Sequence, residues 1–225
     1  MKTLYQHMSH HPDDATLMSF GAGTLVEPLA LVIATHCAIC PTCATQVKIM
    51  ERIGSALMAG LEPQALSKIV PYTALRSVEA DVVTPTARAI KHDSAATGDV
   101  PQPLRGLIGE RLDDIEWRRL GLGVWHAPVL PHKTPRGDVR LLRVAAGCSM
   151  PEHGHGGSEL TLILRGAYQD EIGRFVVGDV ADLADDVEHR PVADATMGCI
   201  CLIASDKHVV FKSFLARLIQ PLTGI

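Results

Sequence analysis

Eight consecutive residues, His36-Cys37-Ala38-Ile39-Cys40-Pro41-Thr42-Cys43, constrain the chain more than any other stretch. Read as His-x3-Cys-x2-Cys, they offer an imidazole and two thiolates at ligand spacing. A helix running through Leu29–His36 and into Cys40 would set His36 and Cys40 one turn apart on one face. Pro41 suits the first turn of a new helix, where a missing N–H costs nothing, and Cys43 follows on that turn. Such a corner supplies three ligands of a tetrahedral zinc site. The fourth must come from elsewhere. His11 is the best placed, with His10 beside it, just before the first helix-like segment. The alternative is a cluster of buried thiols, since cysteine is common in cores. Cys37 breaks the spacing and reads as a small core residue.

The chain has 225 residues, enough for one or two domains and two compact cores. With 47% hydrophobic and 20% charged residues it is a folded chain rather than a disordered one. Its net charge of −4 opposes nonspecific binding to nucleic acid, which needs a basic footprint. No apolar run approaches the length of a membrane span. The first residues, Met1 to His7, lack the apolar core of a signal peptide, so a cytoplasmic protein is expected. In that compartment the six cysteines favour ligand and core roles over disulfides.

Three helices are expected early. Asp13–Gly23 has Asp13 or Asp14 as its N-cap and Leu17, Met18 and Phe20 as its apolar face. Thr24–Thr35 carries Pro28 near its start and reads as largely buried. Pro41–Ala59 repeats Val47, Met50, Ile53, Leu57 and Met58 at helical spacing and ends at Gly60. A unit this small has a small core, and a structural zinc would tie its helices together. Glu62–Gln102, with four prolines and a small polar stretch, reads as a linker with a short helix near Pro63–Val70. Pro103–Gly109 reads as a short amphipathic helix that either binds a partner or caps the next domain.

Beyond Trp117 the pattern changes to short strands. Val139–Ala145, Leu160–Leu164, Phe175–Val177, Val180–Leu183 and Gly198–Ile203 alternate, with turn signals at Gly137-Asp138, Arg165-Gly166, Gly173 and Gly178-Asp179. Val209–Ile219 is expected to end the chain as a strand and short helix. Short strands with frequent turns indicate a small β-barrel or sandwich. Cys199 and Cys201 lie two apart on one strand face and read as inward core residues.

The β-region holds a second constellation, Gly-x5-His-x-His-x3-Glu-x6-Gly, running from Gly147 to Gly166. On an extended segment His153 and His155 face one side, and Glu159 comes on or near the next strand. Two or three imidazoles and one carboxylate suit Zn, Mn, Fe or Ni. The alternative is a solvated glycine-rich loop. His126, His132 and His208 read as surface or satisfied core residues.

Gly147–Gly166 resembles the first motif of the cupin family, and Gly173, Gly178-Asp179 and His189 resemble part of its second motif, with Val176 where that family often has proline. This resemblance implies a barrel with one metal held by His153, His155, Glu159 and His189. The N-terminal half resembles the zinc-binding anti-sigma domain, whose signature places a histidine upstream of His-x3-Cys-x2-Cys. That resemblance implies His11, His36, Cys40 and Cys43 as the zinc ligands. The combination is similar to the ChrR family, and the likeness extends over His10-His11, Gly23-Thr24-Leu25, Ala34-Thr35-His36, Trp117 to Gly121 and the later strands.

The fold class implied is α+β and multi-domain: a small all-α zinc-binding domain over 1–61, completed by a helix at 103–110, a linker over 62–102, and an all-β cupin (double-stranded β-helix) barrel over 111–225. The function implied is that of an anti-sigma factor. It would sequester an ECF-type sigma factor one-to-one in the cytoplasm and release it under oxidative, singlet-oxygen-like stress. Zinc in the helical domain would be structural. A second divalent metal would sit in the barrel, the signal-responsive module. No catalytic residue is assigned, and neither nucleic acid nor membrane is an expected partner. The competing reading is a metal-dependent cupin enzyme, a dioxygenase or isomerase, carrying an N-terminal interaction module. A third possibility is that Cys40 and Cys43 sense oxidant themselves by losing zinc.

Overall fold

The computed structural model describes residues 8–64, 98–130, 136–150, 153–155, 157–184, 187–207 and 209–211, with backbone alone at 153–155 and 209–211. Helix α1 spans Asp14–Gly21 and is capped by Asp13, whose carboxylate accepts from Thr16 N at 2.6 Å. Helix α2 spans Glu27–Cys37 and carries Pro28 in its first turn. Helix α3 spans Pro41–Ala59 and ends at Gly60.

The helices fall where periodicity puts them, with one correction. Helix α2 stops at Cys37, and Cys40 is not on it. Cys40 is the N-cap of α3 at φ −106°, ψ 103°. Pro41 explains the difference, because the residue before a proline is driven out of the α region. The short helix expected over Pro103–Gly109 shrinks to α4, Arg105–Ile108, with Leu104 buried beneath it. The helix expected near Pro63–Val70, most of the expected linker, His132, His208 and the end of the chain past Phe211 lie outside the described residues.

Eleven strands succeed the helices among the described residues, all paired antiparallel. They are β1 Arg118–Gly121, β2 Val124–Pro128, β3 Asp138–Val144, β4 His153–His155, β5 Glu159–Gln169, β6 Arg174–Val176, β7 Val180–Leu183, β8 Glu188–His189, β9 Val192–Ala193, β10 Cys199–Ser205 and β11 Val209–Phe211. The main sheet runs β1-β2-β3-β10-β5-β6, with β7 and β9 also paired to β5. A second sheet runs β11-β4-β8. Strand β5 continues well past Leu164. Its first half pairs with β10 and β7, and its second half turns to pair with β6 and β9. The bend falls at Gly166, φ +75°, where a Cβ would lie 2.1 Å from the carbonyl of Gly198.

The main sheet is buried on both faces, and the period of two divides its side chains between two cores. Val139 and Leu141 on β3, Leu160, Leu162 and Leu164 on β5, and Ile200 and Leu202 on β10 belong to one cluster. Leu17, Leu29, Val32, Ile33 and Val47 of the helices join the same cluster. The alternate residues Leu142, Val144, Ile163, Cys199 and Cys201 belong to the other, inside the barrel. The helical unit therefore completes its core against the outer face of the sheet rather than by itself. The stretch 98–117 is fastened to the same sheet by Arg165 of β5, which pairs with both Asp99 and Asp113.

The apolar residues of α3 divide unexpectedly. Cys43 and Val47 are buried, but Ile53, Leu57 and Met58 are 57%, 69% and 72% exposed. Their helical spacing is real, yet most of that face is not turned to the core.

Leu202 lies fully buried at the centre of β10, between β3 and β5. Leu202→Ala is expected to lower unfolding free energy by about 2–5 kcal/mol in a denaturant titration. Leu122→Ala, at a side chain 88% exposed, should change it by no more than about 0.5 kcal/mol.

Candidate metal centre

The loop before α1, the last turn of α2 and the first turn of α3 meet at one point. There His11, His36, Cys40 and Cys43 each place a ligand atom within 4.8 Å of all the others. The Cys43 sulfur lies 3.3 Å from His36 Nε2 and 3.4 Å from His11 Nδ1, and the Cys40 sulfur lies 3.5 Å from His11 Nδ1. Metal–ligand bonds of about 2.0–2.3 Å at tetrahedral angles put such donors about 3.3–3.8 Å apart, so this set can bind zinc. His36, Cys40 and Cys43 are buried and His11 is exposed, giving a site with one edge toward solvent.

The electrostatics fit a divalent ion. His36 Nδ1 donates to the carbonyl of Gly178 at 2.9 Å, which fixes the tautomer and leaves Nε2 as the ligand atom. Burial lowers the His36 pKa to about 4, so the ring is neutral and ready to ligate at pH 7. Burial, and then the neighbouring Cys40, push the Cys43 thiol up to about 12. Two thiolates this close are stable only with a cation between them. Cys40 also accepts from Cys43 N at 3.5 Å, at the positive end of α3. Cys37 stands apart, its thiol raised to about 11 by burial, in keeping with a core role.

Of the two neighbouring histidines, His11 is the one brought to the cluster. Its neighbour His10 turns away, packs against Phe175 at 4.3 Å between ring centres, and places Nδ1 3.3 Å from Asp179 Oδ2.

In the barrel, Glu159 and His189 line one cavity of about 50 Å³ together with Thr161, Tyr168, Cys199 and Cys201. His189 is buried, and its Nδ1 donates to Asp170 Oδ2 at 2.9 Å. Thr161 Oγ1 lies 3.5 Å from Glu159 Oε1. Strand β4 sets His153 in register with His189 of β8, while His155 is in register with Val209. The side chains of His153 and His155 lie outside those described. All six cysteines are free thiols. Cys199 and Cys201 point inward, as their spacing indicates.

Sequence reasoning missed the groups that orient the ligands. Gly178-Asp179 reads as a turn and as part of a motif resemblance, with no tie to His36, and Asp170 carries no signal of its own. Neither has local spacing to a histidine; the sheet brings each to its partner.

Cys40→Ser with Cys43→Ser is expected to abolish thiolate-bound metal, read as loss of the thiolate-to-cobalt absorption of the cobalt-substituted protein. The melting temperature should fall by roughly 10 °C or more, since about 1 kcal/mol moves a chain of this size by about 2–4 °C and structural zinc contributes several times that.

Comparison with known proteins adds to this geometry. The family described as the ChrR cupin-like domain matches residues 107–208. The anti-sigma-E factor ChrR of Cereibacter sphaeroides is 40% identical over 212 residues, covering 94% of this chain and 96% of that protein. The crystal structure of Rhodobacter sphaeroides SigE in complex with the anti-sigma ChrR is similar with a TM-score of 0.73 and 38% identity. That match covers 89% of this chain and 100% of the other. The match to the anti-sigma-E factor ChrR covers nearly the whole length of both chains, and the chain belongs to the ChrR family.

Proposed function

We propose that the protein is an anti-sigma factor that binds an ECF-type sigma factor one-to-one and withholds it from RNA polymerase. The observation that carries this reading is the outer face of α3. Ile49, Ile53 and Leu57 recur every four residues on α3, Leu61 follows just past its end, and they are 50%, 57%, 69% and 69% exposed. A continuous apolar stripe on a surface helix marks a protein contact. It adjoins the metal cluster in a chain that matches an anti-sigma protein along nearly its whole length. No helix among the described residues is long and apolar enough to cross a membrane. A cytoplasmic place of action, where sigma factor and polymerase meet, belongs to the same proposal.

In this reading the zinc held by His11, His36, Cys40 and Cys43 is structural. Four protein ligands leave no open position for chemistry. It fixes the angle between α2 and α3 and so the direction in which the α3 stripe faces. The barrel is the signal-responsive module. Glu159 and His189, with His153 and His155 on β4, form its metal site, for Zn, Mn, Fe or Ni. Oxidative stress of the singlet-oxygen type is the signal, and the helical site keeps its zinc while the barrel responds. The protein is a regulator and not an enzyme.

Ile53→Asp with Leu57→Asp is expected to weaken capture of the sigma factor at least about thirtyfold, the scale of a binding hot spot. Unfolding free energy should change by no more than about 0.5 kcal/mol, because both sites are exposed. Co-purification of the tagged full-length protein with its sigma factor, and transcription from a sigma-dependent promoter, read the result; undiminished capture would overturn the proposal. His153→Ala with Glu159→Ala should leave capture intact and abolish release by oxidant. Loss of zinc from the helical site during release would instead favour the Cys40–Cys43 pair as the sensor.

A further inference from the structure

One turn of the barrel reaches into the metal centre. It lies between β6 and β7 and consists of Val177, Gly178 and Asp179. Its Gly178 carbonyl accepts from His36 Nδ1 at 2.9 Å. Its Asp179 side chain is fully buried. One oxygen of Asp179 accepts from Ser9 N at 2.8 Å and His10 N at 3.2 Å, while the other accepts from Val176 N at 2.9 Å and faces His10 Nδ1 at 3.3 Å. Val180 N donates back to the His10 carbonyl at 3.1 Å. A second anchor lies further along β7, where Asp182 Oδ2 accepts from Asp13 N at 3.0 Å. Between these anchors lies His11, the ligand contributed by the N-terminal segment.

We infer that this turn is the outer shell of the zinc site, with Asp179 a positioning residue for His11, and that zinc binding and the docking of the N-terminal segment on the barrel are coupled through it. The inference rests on the zinc reading of the four-residue cluster. A buried carboxylate has four lone-pair sites, and here they face three backbone N–H groups and the His10 ring in two segments about 170 positions apart, one bearing a ligand and one turning the barrel. Such a group is costly to bury unless every partner is in place, so the N-terminal segment has one low-energy docked position. His11 then meets the sulfurs with little ordering left to do. By linkage the reverse holds: zinc, in fixing His11, holds the segment on the barrel.

The turn is also joined to the barrel interior. Gly178 N donates to the Ile163 carbonyl at 2.9 Å and Ile163 N to the Asp179 carbonyl at 3.0 Å, which fastens the turn to β5, the strand that begins at Glu159. Tyr168, lining the cavity beside Glu159 and His189, stacks on Phe175 at 4.8 Å, and Phe175 packs against the tilted His10 ring at 4.3 Å. A rearrangement of β5 or of Tyr168 is therefore delivered to the segment carrying His11, which gives the barrel a physical route to the helical unit.

Asp179→Asn in the full-length protein tests this. The amide keeps the size of the carboxylate but replaces one acceptor by a donor, which opposes the N–H groups facing it. Cobalt affinity, followed by the thiolate-to-cobalt absorption in competition with a chelator, is expected to fall about tenfold or more, the range for loss of an outer-shell partner. In the unmodified protein, withdrawing the metal with a chelator should speed hydrogen exchange at the Val180 amide while Leu202, central in β10, stays protected. This second measurement decides the matter if the variant does not fold. A thiolate-to-cobalt band with unchanged affinity in Asp179→Asn, and a Val180 amide indifferent to the metal, would overturn the coupling and leave the zinc site standing. No such band in the unmodified protein would overturn the zinc reading and the coupling with it.

Discussion

Burial of the main sheet on both faces is the constraint on which the rest of the architecture depends. Strands β3, β5 and β10 send alternate side chains to a barrel interior and to a helical layer, so neither face can be exposed without losing a core. Each fully buried aliphatic side chain contributes about 1.5–3 kcal/mol relative to exposure, and the helical layer covers a row of them. The helices need the sheet as well. Leu17, Leu29, Val32 and Ile33 share one core with Leu160, Leu162 and Leu202, and α2 is the helix that lies on the sheet.

The metal centre sits at the edge of this shared core. Its four candidate ligands come from three separate pieces of chain, and the hydrogen bond that holds the His36 ring comes from a fourth, the Gly178 turn. The helices place His36, Cys40 and Cys43 by local geometry alone, because a helix end, a pre-proline residue and a first helical turn succeed one another. Only His11 has to be brought from a distance. That is the ligand whose segment the barrel grips, and it is the exposed one. The site is thus local in three of its members, His36, Cys40 and Cys43, and tertiary in the fourth, His11.

Helix α3 shows how a correct sequence pattern can carry a different meaning from the expected one. Val47 and the residues after it have the spacing of a core face, and the helix forms where expected. Beyond Val47 the side chains at Ile49, Ile53, Leu57 and Leu61 stay exposed, and no element among those described buries them. Periodicity reports that a face is apolar; it does not say whether the covering surface belongs to the same chain. In an anti-sigma protein an uncovered face of this kind is where a sigma factor would close the core.

The sequence by itself determined the three helices, the His-x3-Cys-x2-Cys corner, the strands with alternating apolar residues, and the inward setting of Cys199 and Cys201. All of these rest on periodicity, capping and turn chemistry, which act over a few residues. Strands β1, β2, β4, β8 and β9 were not legible, being short or without alternation, and their pairing supplies what their sequences lack. Tertiary structure alone decided that Asp170 holds the His189 ring, that Gly178 and Asp179 lie against the His/Cys cluster, and that His10, beside the expected His11, turns to Asp179. Those choices depend on hydrogen bonds between residues distant in the chain, set by sheet register and by the docking of the helices on the sheet. No spacing within a single segment encodes them.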